Sequence, residues 1–142
     1  MTQGEGRTGA TASGTSGGGS AKLSDLTFRE LPGRASADPL ALLGGGAAHG
    51  VAVRIVRMAA VPDRTPHRHP HSAEVVHVMA GRGTAWLEGA RTAVGPGDTF
   101  VIPTGAAHAT LPDLGETLEL LCFFPHPDLG ENIEELDGPA LS

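Results

Sequence analysis

The chain has 142 residues with 16 acidic and 10 basic side chains, a formal net charge of −6 and no clustered run of lysine or arginine. That length supports one domain with a buried core, and the charge argues against a nucleic-acid partner. The lone cysteine, Cys122, excludes an internal disulfide, and neither a secretory-type apolar stretch nor a run of about 18 apolar residues occurs, so the expectation is a cytoplasmic protein without a membrane partner.

With 21 glycines, 11 prolines and 4% aromatics, short strands and tight turns are favoured over long helices. Residues 1–22 are rich in Gly, Ser and Thr without apolar periodicity. They cannot bury enough surface to offset the entropy of ordering, and they read as a disordered tail ahead of a domain over 23–142. A first strand is expected over 26–31, stopped by Pro32-Gly33, and a short helical turn over 38–43. Residues 50–59 carry apolar side chains at 51, 53, 55 and 58, interrupted by Arg54 and Arg57, which fits a partly buried strand. Residues 61–64 turn the chain, and the β-branched run 74–80 is a central strand.

Gly81-Arg82-Gly83 reads as a hairpin turn, with 84–88 as the returning strand. In that pairing Ala80 faces Gly83, Met79 faces Thr84 and His77 faces Trp86. His77, Met79 and Trp86 then share an outer face, suited either to a homodimer interface or to cover by the N-terminal segment. Further strands are expected at 99–102, from 107 onward and at 118–124, the last of these followed by an acidic helix over 128–136. Turn signals every eight to twelve residues indicate an all-β sandwich or closed barrel.

Between 67 and 77 the chain places four of its seven histidines and one glutamate. In extended chain residues i and i+2 share a face, so His67 and His69 aim at one point. Glu74, five residues past His69, joins them only if Pro70-His71-Ser72-Ala73 turns the chain. His108, which follows the Pro103-Thr104-Gly105 turn, is the candidate for a fourth ligand. Neutral imidazoles with one carboxylate suit a borderline first-row metal such as Fe, Mn, Ni, Cu or Zn, whereas Ca and Mg prefer oxygen. Four ligands leave two positions open on an octahedral ion, which marks a catalytic rather than a structural site.

These residues resemble the cupin superfamily. Its first motif, G(x)5HxH(x)3-4E(x)6G, is matched over 61–81 by His67, His69, Glu74 and Gly81. Its second, G(x)5PxGxxH(x)3N, is matched over 97–112 by Gly97, Pro103, Gly105 and His108. Val61 and Pro112 stand where the motifs have Gly and Asn. The resemblance implies a jelly-roll barrel, a double-stranded β-helix, with a metal held by His67, His69, Glu74 and His108 near one mouth. It further implies a metal-dependent enzyme acting on a chelated small molecule, with Fe(II) or Mn(II) favoured over Zn(II) or Ni(II) and dioxygenase-type chemistry first. The alternatives are a redox-neutral isomerase, cyclase or lyase and a non-catalytic metal- or ligand-binding protein.

His71 is a candidate for proton transfer at the mouth, or an alternative ligand, or a solvated turn residue. Cys122 is a pocket residue or a small buried hydrophobe. Arg54 or Arg57 would bind an anionic substrate if it faced inward. The chain has no tyrosine, so a Cys–Tyr thioether like that of cupin thiol dioxygenases is impossible, and proton transfer falls to Glu74, His71, a hydroxide at the metal or the substrate itself.

Overall fold

The computed structural model describes residues 18–142, so most of the tail expected over 1–22 lies outside the described part. Residues 18–22 lead without regular structure into a short 3₁₀ turn at Leu23–Asp25. Eleven strands follow: β1 (Arg29–Leu31), β2 (Arg34–Ala37), β3 (Ala52–Ala59), β4 (His67–Arg68), β5 (Glu74–Ala80), β6 (Gly83–Leu87), β7 (Ala90–Val94), β8 (Thr99–Ile102), β9 (His108–Pro112), β10 (Thr117–Phe124) and β11 (Glu134–Glu135). They form two antiparallel sheets, ordered β1-β2-β3-β10-β5-β8 and β11-β4-β9-β6-β7. This is the all-β jelly roll expected. The helical turn expected over 38–43 is a 3₁₀ segment at Pro39–Leu42, where the Asp38 side chain accepts from the Leu40 N–H. No helix among the described residues is long and apolar enough to cross a membrane.

The core lies between the sheets. On β10 every second residue is buried: Leu118, Leu120, Cys122 and Phe124. They pack against Val76 and Val78 of β5 and Ala52 and Met58 of β3. Period-two alternation is what a strand with one face on a core requires. The outer face of this sheet is apolar too. Val53, Phe123, Val75 and Val101 lie in one row across β3, β10, β5 and β8. Apolar residues on both parities explain why the alternation of 50–59 reads only as partial burial.

The expected hairpin between β5 and β6 is absent. β5 pairs with β10 and β8, and β6 pairs with β7 and β9, in the other sheet. Gly81 turns the chain from sheet to sheet at φ +84°, and a Cβ there would run into the Thr117 carbonyl. A Cβ on Gly83 would likewise meet the Leu111 carbonyl. Tight glycines therefore mark a corner here, where local sequence suggests a two-residue loop. The two-residue hairpin lies one turn later, at Glu88-Gly89, both with positive φ.

The grouping of His77, Met79 and Trp86 falls with that pairing. His77 sits 2.7 Å from the Thr99 hydroxyl on β8, whereas Trp86 stands opposite Arg91 and Ala109 in the second sheet. The acidic helix over 128–136 is also absent. The segment makes a turn, buries Asn132 and ends as β11 against β4. Its sheet pairing with β4 bonds backbone groups that a helix would have satisfied internally, and Glu134 pairs with Arg68 at 2.6 Å.

Gly81→Ala should lower stability by more than about 2 kcal/mol, since left-handed strain of about 1–2 kcal/mol adds to the collision with Thr117. Gly97→Ala, at φ +90° with open space around it, should cost about the strain alone. Urea unfolding of the two variants measures the difference.

Candidate metal centre

β4 is two residues long, yet it lies between β9 and β11. His67 is in register with His108 on one side and Glu135 on the other. Arg68 points outward to Glu134, and His69 turns back inward. The chain then bends through 70–73, as expected, and enters β5 at Glu74, on the same face as buried Val76 and Val78. Extended geometry on β4, a bend, and the start of β5 thus bring His67, His69 and Glu74 to one point, and β9 delivers His108. The ring centroids of the three histidines lie 4.3–5.1 Å apart. Their donor nitrogens lie within 4.8 Å of one another and could hold a metal ion.

His69 and His108 are each 3% exposed. His69 Nδ1 lies 2.7 Å from the Asn132 carbonyl, and His108 Nδ1 lies 3.0 Å from the Ala106 carbonyl. A carbonyl can only accept, so each Nδ1 carries a hydrogen, and the neutral form of each ring presents its Nε2 lone pair to the cluster. Both Nε2 atoms are buried without a hydrogen-bond partner, and Glu74 Oε1 stands 3.0 Å from one and 3.3 Å from the other. Burial pushes the Glu74 carboxyl up, but hydrogen bonds and charge from His108 and His69, supplied when those rings carry a hydrogen at Nε2, outweigh this and hold it at about 2. Burial, with His108 and His69 as neighbours, pushes His67 down to about 3. At neutral pH His67 is therefore neutral and Glu74 is ionised. Lone pairs facing a carboxylate in a buried site repel unless a cation lies among them. A divalent transition metal fits that donor set.

Above the cluster is a cavity of about 320 Å³. Val56, Met58, Leu120 and Phe124 make its walls apolar, and Arg34 and Arg54 add charge. Arg54 is tied to Asp38 at 3.3 Å and donates to the Val53 carbonyl. Arg34 forms no ion pair among the described residues. Arg57 is turned away from the cavity: it pairs with Glu119 at 2.7 Å and lies under the Phe28 ring. Cys122 lines the cavity, its thiol pushed well up by burial and by Glu74, so it is a protonated wall residue and not a nucleophile.

The structure does not bring the His71 ring to the cluster. His71 is exposed and stacks on His126 at 5.6 Å, while its main-chain N–H donates to Asn132 Oδ1. Two residues beside the site carried no signal of their own. Arg34 lies in a strand that local sequence does not reveal, and Asn132 lies in a stretch that reads as helix.

A family model described as a cupin domain matches residues 54–124. Among solved structures, the chain is similar to oxalate oxidase in complex with the substrate analogue glycolate. The identity is 26% and the TM-score 0.64, covering 81% of this chain and 61% of that one. It is similar in fold to the Lactobacillus farciminis oxalate decarboxylase formate complex, at 21% identity and TM-score 0.68, over 82% of this chain and 35% of that one. A third likeness in fold is to salicylate 1,2-dioxygenase from Pseudoaminobacter salicylatoxidans in its adducts with gentisate. There the identity is 19% and the TM-score 0.62, over 79% of this chain and 31% of that one. The chain thus spans about a third of the last two proteins and less than two thirds of the first. A comparison with curated protein sequences found no match.

His67 has a folded value near 3 against an ordinary 6.5. Between those values the unfolded chain binds the proton and the folded chain does not, so acid favours unfolding. The metal-free protein should lose stability as pH falls from 6.5 to 3. His67→Gln should flatten that slope in urea midpoints measured against pH. The contribution of Glu74, present above 4.5, should fade lower, as pH falls toward 2.

Proposed function

The chain belongs to the cupin family, and from that premise we propose that it is a metal-dependent enzyme acting on a small carboxylate-bearing molecule, first of all by dioxygenase-type oxidation. One observation carries this reading: two buried imidazole nitrogens without hydrogen-bond partners and an ionised carboxylate line a cavity whose wall holds an arginine without an ion-pair partner among the described residues. His67, His69, Glu74 and His108 would hold the ion, with Fe(II) or Mn(II) favoured. When bound, such an ion supplies Lewis acidity toward substrate oxygens and a place for dioxygen.

The chain's own residues do the remainder. Arg34 attracts the substrate carboxylate and Arg54, steadied by Asp38, adds positive potential. Val56, Met58, Leu120 and Phe124 exclude water and pack on the body of the substrate. Cys122 stays protonated and takes no part in covalent chemistry. The choice of a carboxylate is supported by the similar solved structures, which hold glycolate, formate and gentisate.

His108→Ala should cost more than about 100-fold in metal affinity, beyond what loss of a ligand's hydrogen-bond partner costs. Elemental analysis and Fe(II) titration measure it; a wild-type chain that takes up no transition metal defeats the proposal. Oxygen consumption by the Fe(II) protein with a panel of small hydroxy, keto and aromatic carboxylates tests the reaction. Uptake with none of them, despite carboxylate binding, would leave redox-neutral chemistry in its place. Arg34→Gln should raise KM by about 10-fold or more with kcat little changed, as expected for loss of a charge-assisted hydrogen bond of about 1.5–3 kcal/mol.

A further inference from the structure

Asn132 is completely buried and reaches the histidine turn from sixty residues further along the chain. Its main-chain carbonyl accepts from His69 Nδ1 at 2.7 Å. Its Oδ1 accepts from the His71 N–H at 2.7 Å, and its Nδ2 donates to Ser72 Oγ at 2.8 Å. The Ser72 hydroxyl passes its own hydrogen to the Ala73 carbonyl, one residue before Glu74. One residue therefore fixes the His69 ring and spans the bend that brings Glu74 to the same point. A buried amide costs stability unless it is fully bonded, and here every polar group of its side chain is engaged on that bend. Asn132 also lies beyond the stretch matched by the family model, which ends at 124.

We infer that Asn132 is the positioning residue of the metal centre: it holds His69 in the tautomer that points a lone pair inward and sets the bend that aims Glu74. This rests on the reading of the cluster as a metal site. The hydrogen bond at Nδ1 orients the ring and strengthens Nε2 as a donor. The flanking contacts of the segment are of another kind. Glu134 pairs with Arg68 in the open and touches no donor group.

The test uses Co(II) as a probe of the whole chain, read by affinity and by its visible absorption spectrum. Asn132→Ala keeps the main-chain carbonyl on His69 but removes both side-chain bonds to the bend, and should weaken Co(II) several-fold and shift the spectrum. Glu134→Ala, which loosens the same segment without touching the bend, should leave both unchanged. If Asn132→Ala matches wild type in both readouts, or if Glu134→Ala matches Asn132→Ala, the inference is overturned. Should Asn132→Ala fail to fold, Ser72→Ala decides: it removes the Nδ2 acceptor and should weaken Co(II) several-fold with a spectral shift, and no change overturns the inference. A wild-type chain that binds no Co(II) removes the metal reading itself, whereas wild-type binding with indifferent variants removes only the role of Asn132.

Discussion

Two buried imidazole nitrogens without hydrogen-bond partners stand within about hydrogen-bond distance of an ionised carboxylate, a grouping that favours a cation at its centre. The rest of the structure can be understood as what keeps that group together. Each Nδ1 is committed to a carbonyl, so neither ring can relieve the repulsion by moving its hydrogen inward without losing a buried bond. Glu74 stands at the first position of a strand whose next inward residues are core valines, so its backbone cannot move without disturbing the packing of the barrel. The two-residue β4 is paired on both sides, to β9 through His67 and to β11 through His67 and Arg68.

Much of this was legible from residue spacing. The His67–x–His69 step is a statement about extended chain, and the five-residue step to Glu74 demanded a turn, which is present. The turn before His108 signalled a strand that begins with a donor. The outer placement of His77 followed from parity alone and holds, although its supposed neighbour Trp86 lies in the other sheet. What failed was the inference from local turn chemistry to strand pairing. Gly81-Arg82-Gly83 has the composition of a hairpin, but those glycines are there because Thr117 and Leu111 come close. No local pattern reports a carbonyl that arrives from another part of the chain.

Asn132 and Arg34 were illegible for the same reason. An asparagine in an acidic stretch has no periodicity that reveals burial, and its value comes wholly from meeting a bend sixty residues earlier. Arg34 belongs to a four-residue strand held between β1 and β3, and it is this pairing in the sheet that places it on the cavity wall. Arg54 and Arg57 show the converse: both were candidates for an anion, and a difference of three positions on one strand put one on the cavity wall and the other under Phe28.

The position of β10 has a kinetic corollary. It lies between β3 and β5, so both of its ladders join segments far apart in the chain, and neither can form as a local hairpin. Sheets closed by such distant pairings fold slowly, in the range of milliseconds to seconds, because loop closure must precede the contacts that reward it. Of the four clustered side chains, Glu74 stands on β5, a partner of β10, and the histidines stand on or beside β4 and β9 in the other sheet, so the cluster is complete only when both sheets have formed.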